Sequence, residues 1–420
     1  MTSIARSIPI MSQEPWTEIC AHCADLISNI PPTVLLSALV ATSLGAFVLA
    51  YFVLFIVAPV PREPLPEEKK YRALSKDGSI TEPQQLPCWQ ESLKRTNKAP
   101  DHSAMEQPDL FMSVVIPAYN EEERLGGMLE EAVNYLERTY GTLRDTVDEN
   151  KAETTTRQRK PVNGHVNGHA TSDTTQKGWE IIIVSDGSKD KTEDIAFAFA
   201  RDHQLSLHPK GYAGPWTPGT QEGVHIPPGT IRIVTLTKNR GKGGAVTHGM
   251  RHVRGQYVVF ADADGASDFQ DLGKLVSACQ GVEDSEGRAV AVGSRAHMVG
   301  SEAVVKRSKL RNFLMHSFHL ILWLLTPSQT ATIKDTQCGF KLFSRTSLPY
   351  IVPYMHSEGW IFDVEMLMLA EFAKIPVAEV PIDWREVTGS KLNVLRDSIG
   401  MAWGLAVLRA AWSLGVYRRT

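Results

Sequence analysis

Two carboxylates lie one residue apart at the end of an apolar run. Residues 258–265 read VVFADADG, so Asp262 and Asp264 directly follow the apolar residues. Because residues two apart in an extended chain point to the same side, both acids can face one ligand. Carboxylate oxygens with open positions beside them suit Mg²⁺ or Mn²⁺ bridging a diphosphate. The pair therefore predicts a metal site, although a solvated turn can have the same sequence.

Two further polar segments follow apolar runs in the same way. Asp186 follows Trp179–Val184, and we expect its carboxylate to accept hydrogen bonds from a base or a ribose. Ser188 and Asp190 precede a predicted helix, so the same segment also fits a helix cap. The segment 117–121, PAYNE, could enclose a nucleotide base, with Tyr119 stacking on the base and Glu121 bonding to the ribose.

The glycine-rich segment 239–250, NRGKGGAVTHGM, carries Arg240 and Lys242 just before a predicted helix. Backbone amides and cationic side chains at a helix N-terminus suit a phosphate group. The Walker A pattern is absent, so this is not a P-loop. A plain turn is the alternative interpretation.

Strands alternate with helices along the part of the chain that carries these segments, which indicates a Rossmann-like, doubly wound α/β sheet. Ligands of such sheets bind at the carboxyl ends of the strands, where the polar segments lie. The predicted strands are Met112–Pro117, Trp179–Val184, Ile231–Leu236, Gln256–Ala261 and Ala289–Ser294. The predicted helices cover 121–140 and begin near Thr192, Gly244 and Asp268.

An uncharged apolar segment at 33–60 exceeds the ~20 residues that a transmembrane helix needs. Basic residues follow it at Arg62, Lys69, Lys70 and Arg72, so the positive-inside rule places the C-terminal bulk in the cytosol. A buried core helix is the alternative. The net charge of −3 gives no global indication of nucleic-acid binding.

The predicted organisation has five parts. A short N-terminal segment, 1–32, precedes the membrane anchor at 33–60. A proline-rich and charged juxtamembrane linker follows at 61–110, with a short helix around Trp89–Arg95. The α/β domain covers 111–300 and contains a polar insertion at 145–177, which we expect to be disordered. Residues 301–420 form an acceptor-side region.

Four ordered segments, SVVIPAYNEEERL, EIIIVSDGSKDKT, NRGKGGAVTHGM and FADADGASDF, resemble glycosyltransferase family 2. Within that family, DADGAS followed by an acid is similar to the eukaryotic dolichyl-phosphate β-glucosyltransferases. The corresponding run of the mannosyltransferases is typically DADLSHHP. The segments DTQCGFKLF (335–343), EGWIFDVEML (358–367) and WREVTGSKL (384–392) also resemble the glucosyl group. The resemblance covers residues 111 to 395.

The resemblance implies a GT-A type fold and inverting transfer of glucose from UDP-glucose to dolichyl phosphate, for protein N-glycosylation. The reaction would take place on the cytosolic face of the endoplasmic reticulum membrane. No strong general base is needed, because an acceptor phosphate is already ionised near neutral pH. The alternatives are a dolichyl-phosphate mannosyltransferase, another polyprenyl-phosphate glycosyltransferase, and a non-enzymatic membrane scaffold.

The resemblance also implies roles for individual residues. The expected catalytic residues are Asp264 and Asp335, and the expected metal ligands are Asp262 and Asp264. The donor-binding set is Pro117, Tyr119, Glu121, Asp186, Lys242, Asp262, Ala263 and Gln337. The set that binds the acceptor phosphate and the diphosphate is Arg295, Arg307, Arg311, Arg385, Ser390 and Lys391. Some mannosyl relatives have a polar metal ligand at the position of Ala266, so here the donor's own phosphates would complete the coordination.

Two apolar segments near the C-terminus are predicted to lie in the membrane interface. The run FLMHSFHLILWLL follows a basic cluster containing Arg307 and Arg311 and is too short to span a bilayer. The segment 394–417 is similar and contains Trp403 and Trp412. Two packed core helices are the alternative.

Overall fold

The computed structural model describes residues 31–94, 105–141, 177–298, 322, 324–389 and 394–419. The predicted insertion at 145–177, apart from Lys177, lies outside the described residues, as do Arg307, Arg311, Ser390 and Lys391. Almost all of the first predicted interfacial segment also lies outside them.

A seven-stranded mixed sheet with helices on both faces forms the centre of the protein, in the spatial order β3-β2-β1-β4-β6-β5-β7. The strand β6 runs antiparallel to both of its neighbours, and the other strand pairs are parallel. This confirms the predicted α/β, Rossmann-like architecture. The strands are β1 Leu110–Ala118, β2 Trp179–Ser185, β3 Ile231–Thr235, β4 Gly255–Ala261, β5 Val290–Ser294, β6 Phe340–Ser344 and β7 Val377–Pro381.

Ten helices are seen within the described ranges. They are α1 Pro32–Val57, α2 Trp89–Lys94, α3 Leu125–Tyr140, α4 Thr192–Leu205, α5 Lys242–Met250, α6 Leu272–Val282, α7 Ser328–Thr332, α8 Leu348–Ile351, α9 Phe362–Phe372 and α10 Val394–Ser413. Short 3₁₀ turns lie at Phe269–Asp271, Ala296–Met298, Arg345–Ser347 and Val352–Tyr354.

The central strands are apolar throughout because both faces of the sheet are covered. In β1, Val114 and Ile116 pack into the cluster that contains residues of α3, α4 and α6. Val115, between them, packs into the opposite cluster with residues of α5 and α9. Alternate side chains of a strand point to opposite faces, so a strand buried on both sides needs a continuous apolar run.

Two strands, β6 and β7, lie within residues 301–420, which were predicted to form a separate acceptor-side region. The predicted division at residue 300 therefore cuts through one sheet. The apolar run of β6 is interrupted by Lys341, whose side chain is fully buried and paired with Asp363 of α9. Its sequence, FKLFS, consequently lacks the apolar continuity that reveals a central strand.

The predicted juxtamembrane linker is folded against the α/β domain over residues 61–94. Leu74, Leu86 and Trp89 are buried there, and the indole of Trp89 donates to the carbonyl of Met250 at 2.7 Å. The backbone of Arg72 exchanges two hydrogen bonds of 2.9 Å with Ile233 of β3. High proline and charge content predicted an unpacked linker, but a few apolar side chains are enough to attach the segment.

Helix α1 is long and apolar enough to cross a membrane, with a mean hydropathy of 2.4 and no side chain buried in the protein. Its C-terminal end is fixed to the folded part of the chain by Tyr417, whose hydroxyl donates to the carbonyl of Pro59 at 2.6 Å. These features fit membrane anchoring, as the sequence predicted.

Candidate active site

The polar segments predicted to act together lie at one edge of the sheet. Strands β1, β2 and β4 are parallel neighbours, so Tyr119, Asp186 and Asp262 each follow a strand at that edge. Turn residues at this edge have positive φ angles, among them Asn120 at 54° and Gly265 at 66°. The left-handed conformation at Gly265 turns the chain away from the edge directly after Asp264.

Asp262 is paired with Lys242, the first residue of α5. The Lys242 Nζ lies 2.6 Å from the Asp262 Oδ1. Burial alone would lower the pKa of Lys242, but the charges of Asp262 and Asp363 outweigh burial and raise it. Lys242 is therefore a permanent cation beside the first carboxylate of the pair.

Asp264 is held in a different way. Its Oδ1 accepts a hydrogen bond of 3.0 Å from the amide of Ala266, and its Oδ2 lies 3.9 Å from an Nη1 of Arg124. Burial and the neighbouring Asp262 both raise the pKa of Asp264. Two neighbouring acids that repel each other are stabilised by a cation, so these residues fit a divalent metal.

The protein offers few metal ligands of its own at this place. Among the residues that the structure describes, no group of three or more His, Cys, Asp or Glu side chains is placed to hold a metal ion. Ala266, two residues after Asp264, has an apolar side chain. A cation bound by Asp262 and Asp264 would therefore need further oxygen ligands from a substrate or from water.

Asp186, predicted to bind a base or a ribose, supports a loop in the structure. Its Oδ1 accepts from the amide of Arg240 at 2.7 Å, and its Oδ2 accepts from the amide of Gly241 at 2.9 Å. Burial raises the pKa of Asp186 to about 6. The carboxylate thus fixes the glycine-rich segment that begins α5 and carries Lys242.

Glu121, predicted to bind a ribose, is engaged by Arg124. The Nε of Arg124 donates to Glu121 Oε2 at 2.7 Å, and another Arg124 nitrogen faces Asp264. Both residues line a cleft of about 400 Å³, and Asn120, Lys189 and Thr388 contribute to its walls. Arg124 was not among the predicted site residues, although its spacing of three residues from Glu121 could have indicated the pair.

Asp335, predicted to be catalytic, forms a two-pronged ion pair with Arg295, which was predicted to bind phosphate. The Arg295 Nε and Nη2 donate to the two carboxylate oxygens at 2.7 and 2.9 Å. Burial would raise the pKa of Asp335, but the Arg295 guanidinium outweighs burial and holds the pKa below its usual value. An acid held in this way is a poor proton acceptor, and its geometry is that of a support for Arg295.

The remaining predicted residues divide between the site and its surroundings. Ala263 is buried between the two acids, and Pro117 is the next-to-last residue of β1. Gln337 donates to the sulfur of Met401 at 2.9 Å, and so lies against α10. The amide of Arg385 donates to the carbonyl of Ala266 at 2.8 Å, which places Arg385 beside the turn at 262–266, here called the acidic turn.

The family model and the known proteins that this chain resembles are all glycosyltransferases. The model of "Glycosyl transferase family 2" matches residues 217–349. A dolichyl-phosphate beta-glucosyltransferase of Saccharomyces cerevisiae is 38% identical over 392 residues, covering 92% of this chain and 95% of the relative. The enzyme of the same name from Drosophila melanogaster is 33% identical, with coverages of 96% and 97%. That from Homo sapiens is 35% identical, with coverages of 75% and 80%.

The ion pair of Arg295 and Asp335 leads to a stability prediction. Arg295→Met leaves the largely buried Asp335 carboxylate without its cation and should lower the free energy of unfolding by up to about 3 kcal/mol. The double variant Arg295→Met/Asp335→Leu should recover most of that loss. Lys69→Met is the control, because it breaks a partly exposed pair with Glu91 and should cost about 0.2–1 kcal/mol. Chemical unfolding in detergent measures all three, and equal losses for the two single variants would contradict the prediction.

Proposed function

The chain belongs to the dolichyl-phosphate β-glucosyltransferases of glycosyltransferase family 2 and transfers glucose to dolichyl phosphate, and we propose that its donor is UDP-glucose. We further propose that the donor diphosphate binds, together with Mg²⁺ or Mn²⁺, at Asp262 and Asp264. The observation that supports this most directly is the pair of partly exposed carboxylates, Asp262 and Asp264, with Lys242 at 2.6 Å from the first of them.

The charges at this edge of the sheet suit a diphosphate bound with a cation. Asp262 and Asp264 supply negative charge for the metal, and the pKa of Asp264 is raised by burial and by its neighbour. Lys242 is the first residue of α5, so the partial positive charge of the helix N-terminus adds to that of its side chain. When bound, the metal would neutralise the charge that develops on the departing diphosphate.

The chemical step requires little proton transfer. An oxygen of the acceptor phosphate attacks the anomeric carbon of glucose while the bond from that carbon to the UDP oxygen breaks. The electron pair leaves with UDP, and the configuration at the anomeric carbon is inverted. Because the acceptor is ionised before the attack, no residue has to remove a proton, which agrees with the low pKa of Asp335.

The remaining predicted roles depend on contacts beside the donor. We propose that Arg385 and Arg295 bind phosphate oxygens, and that Tyr119 contacts the base within the cleft that Arg124 and Glu121 line. Asp186 would act indirectly, by holding the loop at Arg240 and Gly241. Gln337, which lies against α10, would contact the sugar or the diphosphate.

Helix α10 could bring the lipid acceptor to this edge. One side of α10 packs with α1 and α9 through Leu405, Leu408 and Ala411. Trp403 and Ile399 lie on its exposed side, at 65% and 62% exposure. Trp412 is different, because it packs against Phe372 and Tyr417. We propose that the exposed side lies in the membrane interface, on the cytosolic face of the endoplasmic reticulum, where the product would serve protein N-glycosylation.

The donor is tested with the purified full chain, dolichyl phosphate and Mn²⁺. UDP-[¹⁴C]glucose should give labelled lipid, whereas GDP-[¹⁴C]mannose should give at most a trace, measured by extraction into organic solvent. The anomeric proton of the product should show, by NMR, the large H1–H2 coupling of a β-glucosyl phosphate. Label from GDP-mannose alone would overturn the glucosyl assignment in favour of the mannosyltransferase alternative.

Removal of the second acid should abolish the metal-dependent step. Asp264→Asn should lower kcat/KM by at least about 100-fold, since the one remaining carboxylate would bind the metal, and through it the diphosphate, too weakly. EDTA should inactivate the native chain, and Mg²⁺ or Mn²⁺ should restore it. Glu222→Gln, a change of an exposed acid, is the control and should retain activity. Full activity of Asp264→Asn, or activity in EDTA, would contradict the metal assignment.

The exposed side of α10 is tested by Trp403→Ser. Loss of an exposed aromatic from the membrane interface should raise KM for dolichyl phosphate several-fold and leave KM for UDP-glucose unchanged. Leu207→Ser, a change of an exposed apolar residue after α4, is the control. Assays in mixed micelles of varied lipid content measure both constants. If Trp403→Ser changed both KM values equally, or neither, α10 would not be the acceptor side.

A further inference from the structure

The loop between α4 and β3 folds back on itself and reaches the acidic turn. Over residues 209–223, here called the capping hairpin, the amide of Gly211 donates to the carbonyl of Gln221 at 3.1 Å. The amide of Gly223 donates to the carbonyl of Pro209 at 2.9 Å. At the tip, the amide of Gly214 donates to the carbonyl of Thr217 at 2.9 Å. The hairpin is therefore an ordered element and not a slack connection.

Two adjacent acids of α3 hold the capping hairpin. Glu130 accepts from the amide of Tyr212 at 3.1 Å, and Glu131 accepts from the amide of Trp216 at 2.8 Å. Both acids are buried, so the loss of either hydrogen bond would leave an unsatisfied polar group inside the protein. A Cβ on Gly127 of α3 would lie 2.7 Å from the Cα of Gly214, so the tip sits directly on the helix backbone.

Trp216, at the tip, contacts the turn that follows the metal-binding pair. Its Nε1 donates to the carbonyl of Gly265 at 3.0 Å. Gly265 directly follows Asp264 and has a φ of +66°. Its ideal Cβ position lies 3.3 Å from Pro215 Cδ and 3.4 Å from Met128 Cβ. The indole thus fixes the carbonyl of a turn that is packed between α3 and the hairpin.

Trp216 also contacts the positively charged side chain of Arg385. The guanidinium of Arg385 lies 4.0 Å from the centroid of the Trp216 ring, and an Arg385 Nη1 donates to the carbonyl of Pro215 at 2.6 Å. Stacking and a backbone hydrogen bond together restrict the orientation of a guanidinium. The Arg385 amide bonds to Ala266, so the same residue is fixed at its backbone beside the acidic turn.

We propose that Trp216 is a positioning residue for the donor: it sets the acidic turn and the Arg385 guanidinium at a fixed separation, so that both engage the diphosphate of the nucleotide sugar. The inference rests on the proposed donor site. It assigns a function to the capping hairpin, whose tip joins α3, the turn after Asp264 and the segment after β7. A purely structural tip would affect stability without affecting donor binding selectively.

The test separates the two contacts of the indole. Trp216→Phe keeps an aromatic ring for Arg385 but removes the Nε1 donor, and should raise KM for UDP-glucose about 3-fold. Trp216→Ala removes both contacts and should raise it about 10-fold. KM for dolichyl phosphate should stay constant in both variants. Gln221→Ala, on the same hairpin but with an exposed side chain, is the control and should behave like the native chain.

A double-variant cycle adds a readout that a structural role would not change. If Trp216 acts through Arg385, then Trp216→Ala/Arg385→Ala should raise the donor KM by clearly less than the product of the two single effects. Fully multiplicative effects, or an unchanged donor KM in both Trp216 variants, would overturn the inference. In that case glucosyl transfer by the native chain from UDP-glucose would still support the proposed function. Failure of the native chain to use UDP-glucose would instead overturn the donor assignment itself.

Discussion

Buried charges that must remain paired determine the shape of the sheet edge at which Asp262 and Asp264 lie. Lys341 and Asp363 are almost completely buried and form an ion pair, and the Lys341 Nζ also donates to the carbonyl of Cys338 at 2.6 Å. Asp363 in turn raises the pKa of Lys242, which is paired with Asp262. Because an unpaired buried charge costs several kcal/mol, each member of this series restricts the position of the next.

The antiparallel strand β6 connects that constraint to the site. It lies between β4 and β5, so Gly339, just before it, lies directly beside Asp262. The amide of Asp262 donates to the carbonyl of Gly339 at 3.1 Å, and a Cβ at Gly339 would collide with the Asp262 carboxylate. A glycine is therefore required there for the acid to keep its orientation, and the C-terminal third of the chain takes part in the donor site.

The segment that leaves the membrane helix also contacts the donor loop. The side chain of Arg240 donates to the carbonyl of Arg62, and its backbone amide donates to Asp186. Arg62 is paired with the buried Glu68, which accepts from the amide of Thr237 at 2.9 Å. A few hydrogen bonds and one ion pair thus connect the segment after α1 to the loop that carries Lys242, although the two are far apart in the sequence. A donor site attached so closely to the anchor suits an acceptor that resides in a membrane.

The local pattern of the sequence determined the apolar strands β1 to β5, the span near α1 and the acids at the strand ends. Each of these depends on neighbouring residues, since a buried strand must be apolar and its end must turn towards water. The uses of the polar side chains were decided by contacts between distant parts of the chain. Asp186 bonds to the amide of Arg240, and Asp335 is held by Arg295.

The same reason explains the elements that the sequence did not reveal. Strand β6 contains Lys341, and its charge is tolerated inside the sheet because Asp363, on α9, lies against it. In the sequence, Trp216 is a single aromatic residue in a polar loop, and only the fold shows that it contacts Gly265 and Arg385. The sequence by itself thus determined which residues can do the chemistry, and which apolar strands precede them along the chain. Only the tertiary structure decided which charges neutralise one another, because pairing depends on proximity in space, which separation along the chain does not define.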